Sequence, residues 1–215
     1  MTSIASGLPD RLREETRPHH DAAERHPLQA ALARGTLPLE TYVAHLEQLL
    51  LIHARLESWL LSESSREPRL LSVADPAHFQ EANLRADLRH FGGAESPSPT
   101  PATRRLLDHI DQVAASCPIG LLGFHYVLEG SKNGGRFIAI AVRRAYHLEG
   151  AGTAYLDPHG EQQRPLWQAH RQRLGAIAVT PAEADVIIDS AKALFVAIAA
   201  TGDDLLAAGE AATSR

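Results

Sequence analysis

The sequence predicts an all-α fold in one domain, and three observations carry that expectation. Apolar residues recur at helical spacing through most of the chain, aromatics are few at 5% against a background rich in Ala and Leu, and no run of alternating β-branched residues appears. At 215 residues with 44% hydrophobic and 22% charged content, the chain can bury one sizeable core and is short for two. Residues 1–215 therefore read as a single domain, with 1–9 and about 205–215 as flexible tails.

The breaks between helices are the informative positions. A first helix is expected over about Asp10 to Glu24, kinked at Pro18, whose ring nitrogen has no proton for the preceding turn. A short segment from Pro27 to Arg34 stops at Gly35, and a long core helix from about Pro38 to Ser62 presents Tyr42, Leu46, Leu49, Leu50, His53, Leu56 and Leu60. Asp75 as N-cap and Pro76 in the first turn open a stretch that ends at Gly92-Gly93. The proline-rich connector 94–101 leads into a helix from Pro101 to Ser116. Pro118 to Leu148 is helical in character but interrupted by glycines, then come Pro165 to Ile177 and, behind a Thr180-Pro181 start, Pro181 to about Ala200.

Composition excludes several classes of function. A net charge of -5, with arginines scattered along the chain, gives no basic surface for a phosphate backbone, so nucleic acid is not an expected partner. No apolar run approaches the roughly 18 residues of a membrane span, and residues 1–9 lack the basic-then-apolar pattern of a secretion signal. A single cysteine, Cys117, fits a reducing compartment, and the expected location is cytoplasmic.

Two segments carry chemistry. Residues 126–136 read Tyr-Val-Leu-Glu-Gly-Ser-Lys-Asn-Gly-Gly-Arg, with Gly130, Gly134 and Gly135 inside what is otherwise helix. Each glycine costs a helix about 1 kcal/mol relative to alanine, so the cluster implies either a close helix crossing or a flat ligand that main-chain atoms approach without a Cβ in the way. The first helix carries His19 and His20, and Thr16 and Glu24 lie one turn either side of His20. A neutral imidazole facing the interior of a bundle can ligate a metal, although most of the 12 histidines need no such role.

Together these segments resemble the bacterial biliverdin-producing haem oxygenases. The first-helix pattern is met by Leu12, Glu14, Thr16, His20 and Glu24, and the distal pattern by Gly123, Tyr126-Val-Leu-Glu-Gly-Ser131 and Gly134-Gly135. Leu39 to Tyr42, Ala86 to Gly93 and Trp167 to Leu174 add weaker matches in the family's order. The resemblance implies a haem-oxygenase-like helical bundle with a glycine-kinked distal helix. It implies His20 as the proximal iron ligand, with His19 as the alternative that a Pro18 kink leaves open, and Glu24 as the group that holds the ring. Haem would be both cofactor and substrate. Gly130, Ser131 and Gly134 would form the catalytic distal wall, with Tyr126 and Gly135 also against haem, steering oxygen toward one meso carbon. Arg13 and Arg171 would face the propionates. The products implied are biliverdin, carbon monoxide and iron, the electrons coming from ferredoxin, flavodoxin or a reductase, and a biliverdin-using photoreceptor is an implied downstream partner.

Two positions depart from the mammalian form of the motif. Ser131 stands where an aspartate organises distal water, and Lys132-Asn133 is more polar than the usual pair. Lys132 is expected to point to solvent, while His125 suits either the distal cavity or helix packing. Two other readings compete: a non-catalytic haem carrier of the same fold, and a non-haem di-iron oxidase drawing on Glu47, His53, Asp108 or His109, whose spacings form no coherent set.

Overall fold

A computed structural model describes residues 7–213. The chain forms nine α-helices among the described residues: α1 (Leu8–Glu24), α2 (Pro27–Arg34), α3 (Leu39–Ser62), α4 (Arg69–Val73), α5 (Glu81–Phe91), α6 (Pro101–Ser116), α7 (Leu121–Ala145), α8 (Gln163–Ala176) and α9 (Pro181–Thr213). No strand is present among them.

Local chemistry sets most of the boundaries. Gly35 and Gly92 end α2 and α5 in left-handed conformations, φ +66° and +69°, which residues with a Cβ adopt only at a cost. Thr100 caps α6 by accepting from the Thr103 N–H at 3.2 Å. A reciprocal capping box opens α9: Thr180 Oγ1 accepts from the Glu183 N–H at 3.2 Å, and the Glu183 carboxylate accepts from the Thr180 N–H at 2.7 Å.

The structure revises four expectations. Asp75 and Pro76 open only a single 3-10 turn, Pro76–His78, because Phe79 is extended; α5 begins afresh at Glu81. The short α4 escaped the sequence pattern because five residues do not establish a period. α7 runs on through all its glycines, so it is not broken where interruption was expected, while α1 continues through Pro18 as one helix. Finally, α9 continues to Thr213, and Leu205, placed at the start of a tail, is buried; residues 1–6 lie outside the described residues.

Two apolar clusters make up the core. The larger joins Leu12 of α1, Ile52 and Leu56 of α3, Ile110 of α6, Phe124 and Leu128 of α7, Leu174 of α8 and Ile187 to Leu194 of α9. The second lies under α2 and α5 and takes Leu28, Tyr42, Leu46, Leu84, Ala139 and the loop residues Tyr155 and Leu156. α7 passes through both, and bare backbone lets its neighbours come close. A Cβ on Gly123 would overlap the Ile187 carbonyl of α9, and one on Gly135 would overlap the Leu156 carbonyl of the 146–162 loop. Asp87 of α5 fastens the same loop, its carboxylate accepting from the Ala154 and Tyr155 N–H groups at 2.9 and 2.8 Å.

This packing sets a stability test. Gly123→Ala forces α7 from α9 and is expected to cost more than about 2 kcal/mol in urea unfolding. Gly134→Ala, where a Cβ meets nothing within 4 Å, should leave unfolding unchanged or slightly raise stability.

Candidate functional site

The candidate ligand slot is the region bounded by α1 and α7, with α9 and α8 packed against both. Both helices pack extensively on α9 and both touch α8, yet they hardly touch each other. α9 is therefore the floor and α8 one end. Cross-contacts hold that frame: the His20 ring of α1 meets Phe195 of α9 edge-on at 5.7 Å, Tyr126 of α7 meets Trp167 of α8 at 5.2 Å, and Arg171 of α8 pairs with Asp10 of α1 at 3.2 Å.

On the α1 wall, His20 is half exposed, with Nδ1 3.6 Å from Asp21 and Nε2 3.7 Å from Glu24. Among the described residues, these three form the only group of His, Cys, Asp and Glu ligand atoms close enough to share a metal ion. His20 thus keeps the carboxylate neighbour that helical spacing supplied, and Asp21, which the sequence reading passed over, is equally near. Thr16, one turn earlier, is buried and donates to the Leu12 carbonyl at 2.6 Å. Its role is to pack the helix.

On the α7 wall, Gly130 and Gly134 are one turn apart on one face, and Phe137 and Ala141 continue that face. Gly134 opens on free space. Gly130 does not: a methyl placed on it would lie 3.2 Å from the tip of the Trp167 ring, which stacks on His170 at 5.5 Å. Part of the expected distal wall is thus shared with an indole that the sequence reading placed only in a weak match. Gly135 points the other way, into the 146–162 loop, so its role is packing and the expectation that it lines the ligand is corrected.

Arg13, Arg171 and Tyr126 come together at the α8 end of the slot. Both guanidiniums are near enough to the Tyr126 phenol to stabilise its ionised form, although burial outweighs them and the phenol titrates above its ordinary value. Arg13 is exposed and Arg171 pairs among the described residues with Asp10, so both can meet an anionic ligand edge.

Behind α7, on the face away from Gly130 and Gly134, lies a polar cluster that the sequence reading missed. Lys132 is buried, against expectation, because its ammonium pairs with Glu129 at 2.6 Å and donates to the His78 carbonyl at 3.0 Å. Around this pair stand His53, Glu57, His78 and His125, enclosing a cavity of about 10 Å3, room for roughly one water. Glu57 accepts from His53 at 2.9 Å and from the Gln80 and Glu81 N–H groups at 2.7 and 3.2 Å, so it caps α5 with a negative charge. Burial drives His53 and His125 below the ordinary histidine value, and the Lys132 ammonium adds to the effect. Both shifts favour the neutral imidazole at His53 and His125. Ser131 flanks the cluster, donating to the Leu128 carbonyl at 2.8 Å and interacting with the buried Tyr155 phenol.

Among the described residues, the di-iron candidates form no group close enough to share a metal ion. Glu47 accepts from the Ala94 N–H at 2.8 Å, His53 is engaged by Glu57, and His109 packs edge-on to Phe124 at 5.6 Å.

Comparison with known proteins identifies the family and the fold. A family model described as Heme oxygenase matches residues 6–200. The chain belongs to the haem oxygenase family. Haem oxygenase 1 of Synechocystis is 23% identical over 197 residues, which cover 89% of this chain and 82% of that protein; haem oxygenase 1 of Bos taurus is 25% identical over 91% and 70%. The haem oxygenase structure from Leptospira interrogans superposes with a TM-score of 0.84 at 26% identity, covering 92% of this chain and 98% of that one. Haem oxygenase-1 from Synechocystis, solved in complex with haem, gives 0.86 at 21%, covering 97% and 98%. At that identity the likeness establishes the haem oxygenase fold.

Two outcomes test this site. Lys132→Met leaves the Glu129 carboxylate buried and unpaired and should cost about 3 to 5 kcal/mol, whereas Lys132→Met with Glu129→Leu should recover most of the loss in chemical denaturation. Burial holds His45 and His170 at about 4 in the folded chain against 6.5 ordinarily. The unfolded chain therefore binds more protons in that interval, so stability is full above pH 6.5 and falls as pH drops toward 4, by up to about 3 kcal/mol per histidine. Melting curves across pH 7.5 to 4 should show that fall, and His170→Gln should flatten it.

Proposed function

We propose that this protein is a haem oxygenase that opens haem to biliverdin, carbon monoxide and iron, using oxygen and external electrons. The observation that carries the reading is the pairing of two helices that share α9 and α8 as neighbours and make few contacts with each other, one offering a half-exposed imidazole at His20 and the other open backbone at Gly134. The residues fit haem. His20 has a ring nitrogen available for iron, Gly134 leaves a Cβ-free surface for a flat macrocycle, and Arg13 and Arg171 stand where two carboxylates need cations.

When bound, haem supplies the redox chemistry by which oxygen attacks its own ring. The chain binds, orients and excludes. His20 would hold the iron, and the carboxylate of Glu24, 3.7 Å from its ring, stands close enough to orient the ring once haem is bound. Gly130 and Gly134 bring main chain close on the opposite side, and Trp167 beside Gly130 narrows the space left for a substrate edge. The missing distal aspartate is compensated behind the helix. Ser131 meets Tyr155, and His53, Glu57, His125 and Lys132 supply a buried polar network that can hold water and keep protons in reserve.

On this reading the partners are haem, a one-electron donor such as ferredoxin, flavodoxin or a reductase, and a consumer of biliverdin such as a photoreceptor. The compartment is the cytoplasm, where Cys117 stays reduced. No helix among the described residues is long and apolar enough to cross a membrane.

Titration with hemin should produce a shifted Soret band, abolished by His20→Ala and kept by His19→Ala; Glu24→Ala should weaken binding by about tenfold. Reductant and oxygen should then yield biliverdin absorbance. A Soret band without biliverdin would leave a haem carrier, and no band at all would refute haem chemistry here.

A further inference from the structure

At the α8 end of the slot one large side chain lies across the glycine wall. A Cβ on Gly130 would stand 3.2 Å from Cη2 of Trp167, and 3.6 and 3.7 Å from its Cζ3 and Cζ2, so the six-membered edge of the indole rests on bare main chain. The missing side chain permits that approach. Two more rings hold the indole: Tyr126 at 5.2 Å with the planes 47° apart, and His170 stacked at 5.5 Å with the planes 15° apart. Trp167 is nonetheless only partly buried.

The other tryptophan of the chain shows what an indole does when its task is packing alone. Trp59 of α3 donates its Nε1 proton to Asp111 of α6 at 2.7 Å and so closes a helix contact. Trp167 Nε1 makes no hydrogen bond among the described residues. Its surroundings suit an anionic edge. Arg171 follows one turn along the same side of α8. Tyr126, which packs on the indole, feels both Arg13 and Arg171 at its phenol. A flat ligand whose carboxylates pair with those arginines therefore brings the same edge of its ring system against Trp167.

The geometry points to Trp167 as the side chain that sets the in-plane seating of the macrocycle, and through it which meso carbon is attacked. This rests on the haem oxygenase reading and adds to it a residue that decides selectivity. Arginines alone hold an edge loosely: Arg13 is exposed, and Arg171 also pairs with Asp10 at 3.2 Å. An indole packed against two other rings is a firm stop, since a macrocycle that slides or turns toward α8 meets close-packed atoms. Gly134, one turn along α7, meets nothing within 4 Å, so the wall is open there and stopped at Gly130. The difference matters because a misplacement of about 1 Å changes a rate by about a hundredfold.

Proton NMR of the ferric protein with hemin and cyanide reads the seating without turnover, through the paramagnetically shifted haem methyl signals. Wild type supplies the reference pattern and should give one dominant biliverdin isomer. Trp167→Ala should still bind hemin through His20, yet displace the methyl signals and move the isomer ratio by about tenfold or more. Trp167→Phe keeps a flat ring beside Gly130 and should restore the wild-type pattern. Trp167→Leu replaces the alanine variant if loss of ring packing prevents folding. An indole that only packs helices gives a different result: the melting temperature falls while methyl signals and isomer ratio stay put. That outcome, in the alanine or the leucine variant, would overturn the proposal and leave the haem oxygenase reading standing. A wild type that produces mixed isomers would overturn it as well. A wild type that binds no hemin would end both.

Discussion

The structure depends on how closely the backbone of α7 can approach its neighbours. Gly123 admits a carbonyl from α9 and Gly135 admits one from the 146–162 loop. Those two contacts fix the helix between the core clusters and leave its third face, at Gly134, uncovered. The cost of glycine in a helix interior, about 1 kcal/mol each, is offset by burial of apolar surface on either side. One helix thereby serves three purposes: it packs the domain, closes the slot and shields the polar cluster behind it.

That cluster shows how a buried charge is tolerated in a helical bundle. Lys132 and Glu129 are three residues apart on one turn and neutralise each other; the His78 carbonyl takes a further donor proton. Several ring nitrogens around them, on His53, His78 and His125, have no hydrogen-bond partner among the described side chains and backbone, as does one Glu129 oxygen, which lies 4.0 Å from the His78 ring. Polar atoms in such a position call for water, and the small cavity they enclose can hold it. The helix thus presents bare main chain on the face expected to meet the substrate and buried polar groups behind it.

Much of this was legible in the chain. The stops at Gly35 and Gly92, the Thr180 cap and the pairing of His20 with Glu24 follow from rules that act within a few residues, and the structure places them as the pattern indicates. The distal glycines were legible as a group but not one by one. Gly134 faces the slot, Gly130 is met by Trp167 and Gly135 is packing, a distinction set by α8 and the loop, far away in sequence. Lys132 misled for a related reason: a lysine in a polar stretch reads as solvated, and its burial depends on His78 and on Glu57 of another helix. The extension of α9 to Thr213 was hidden because an Ala-rich stretch resembles a frayed end.

The separation of α1 from α7 has a consequence for how such a slot changes over time. Because α1 and α7 make few contacts with each other, their spacing is set by their seats on α9, at places such as the buried contact of Gly123 with Ile187. Substitutions at those seats would widen or pinch the opening without touching a single lining atom, so tolerance for bulkier or slimmer macrocycles could drift across homologues whose visible walls are identical.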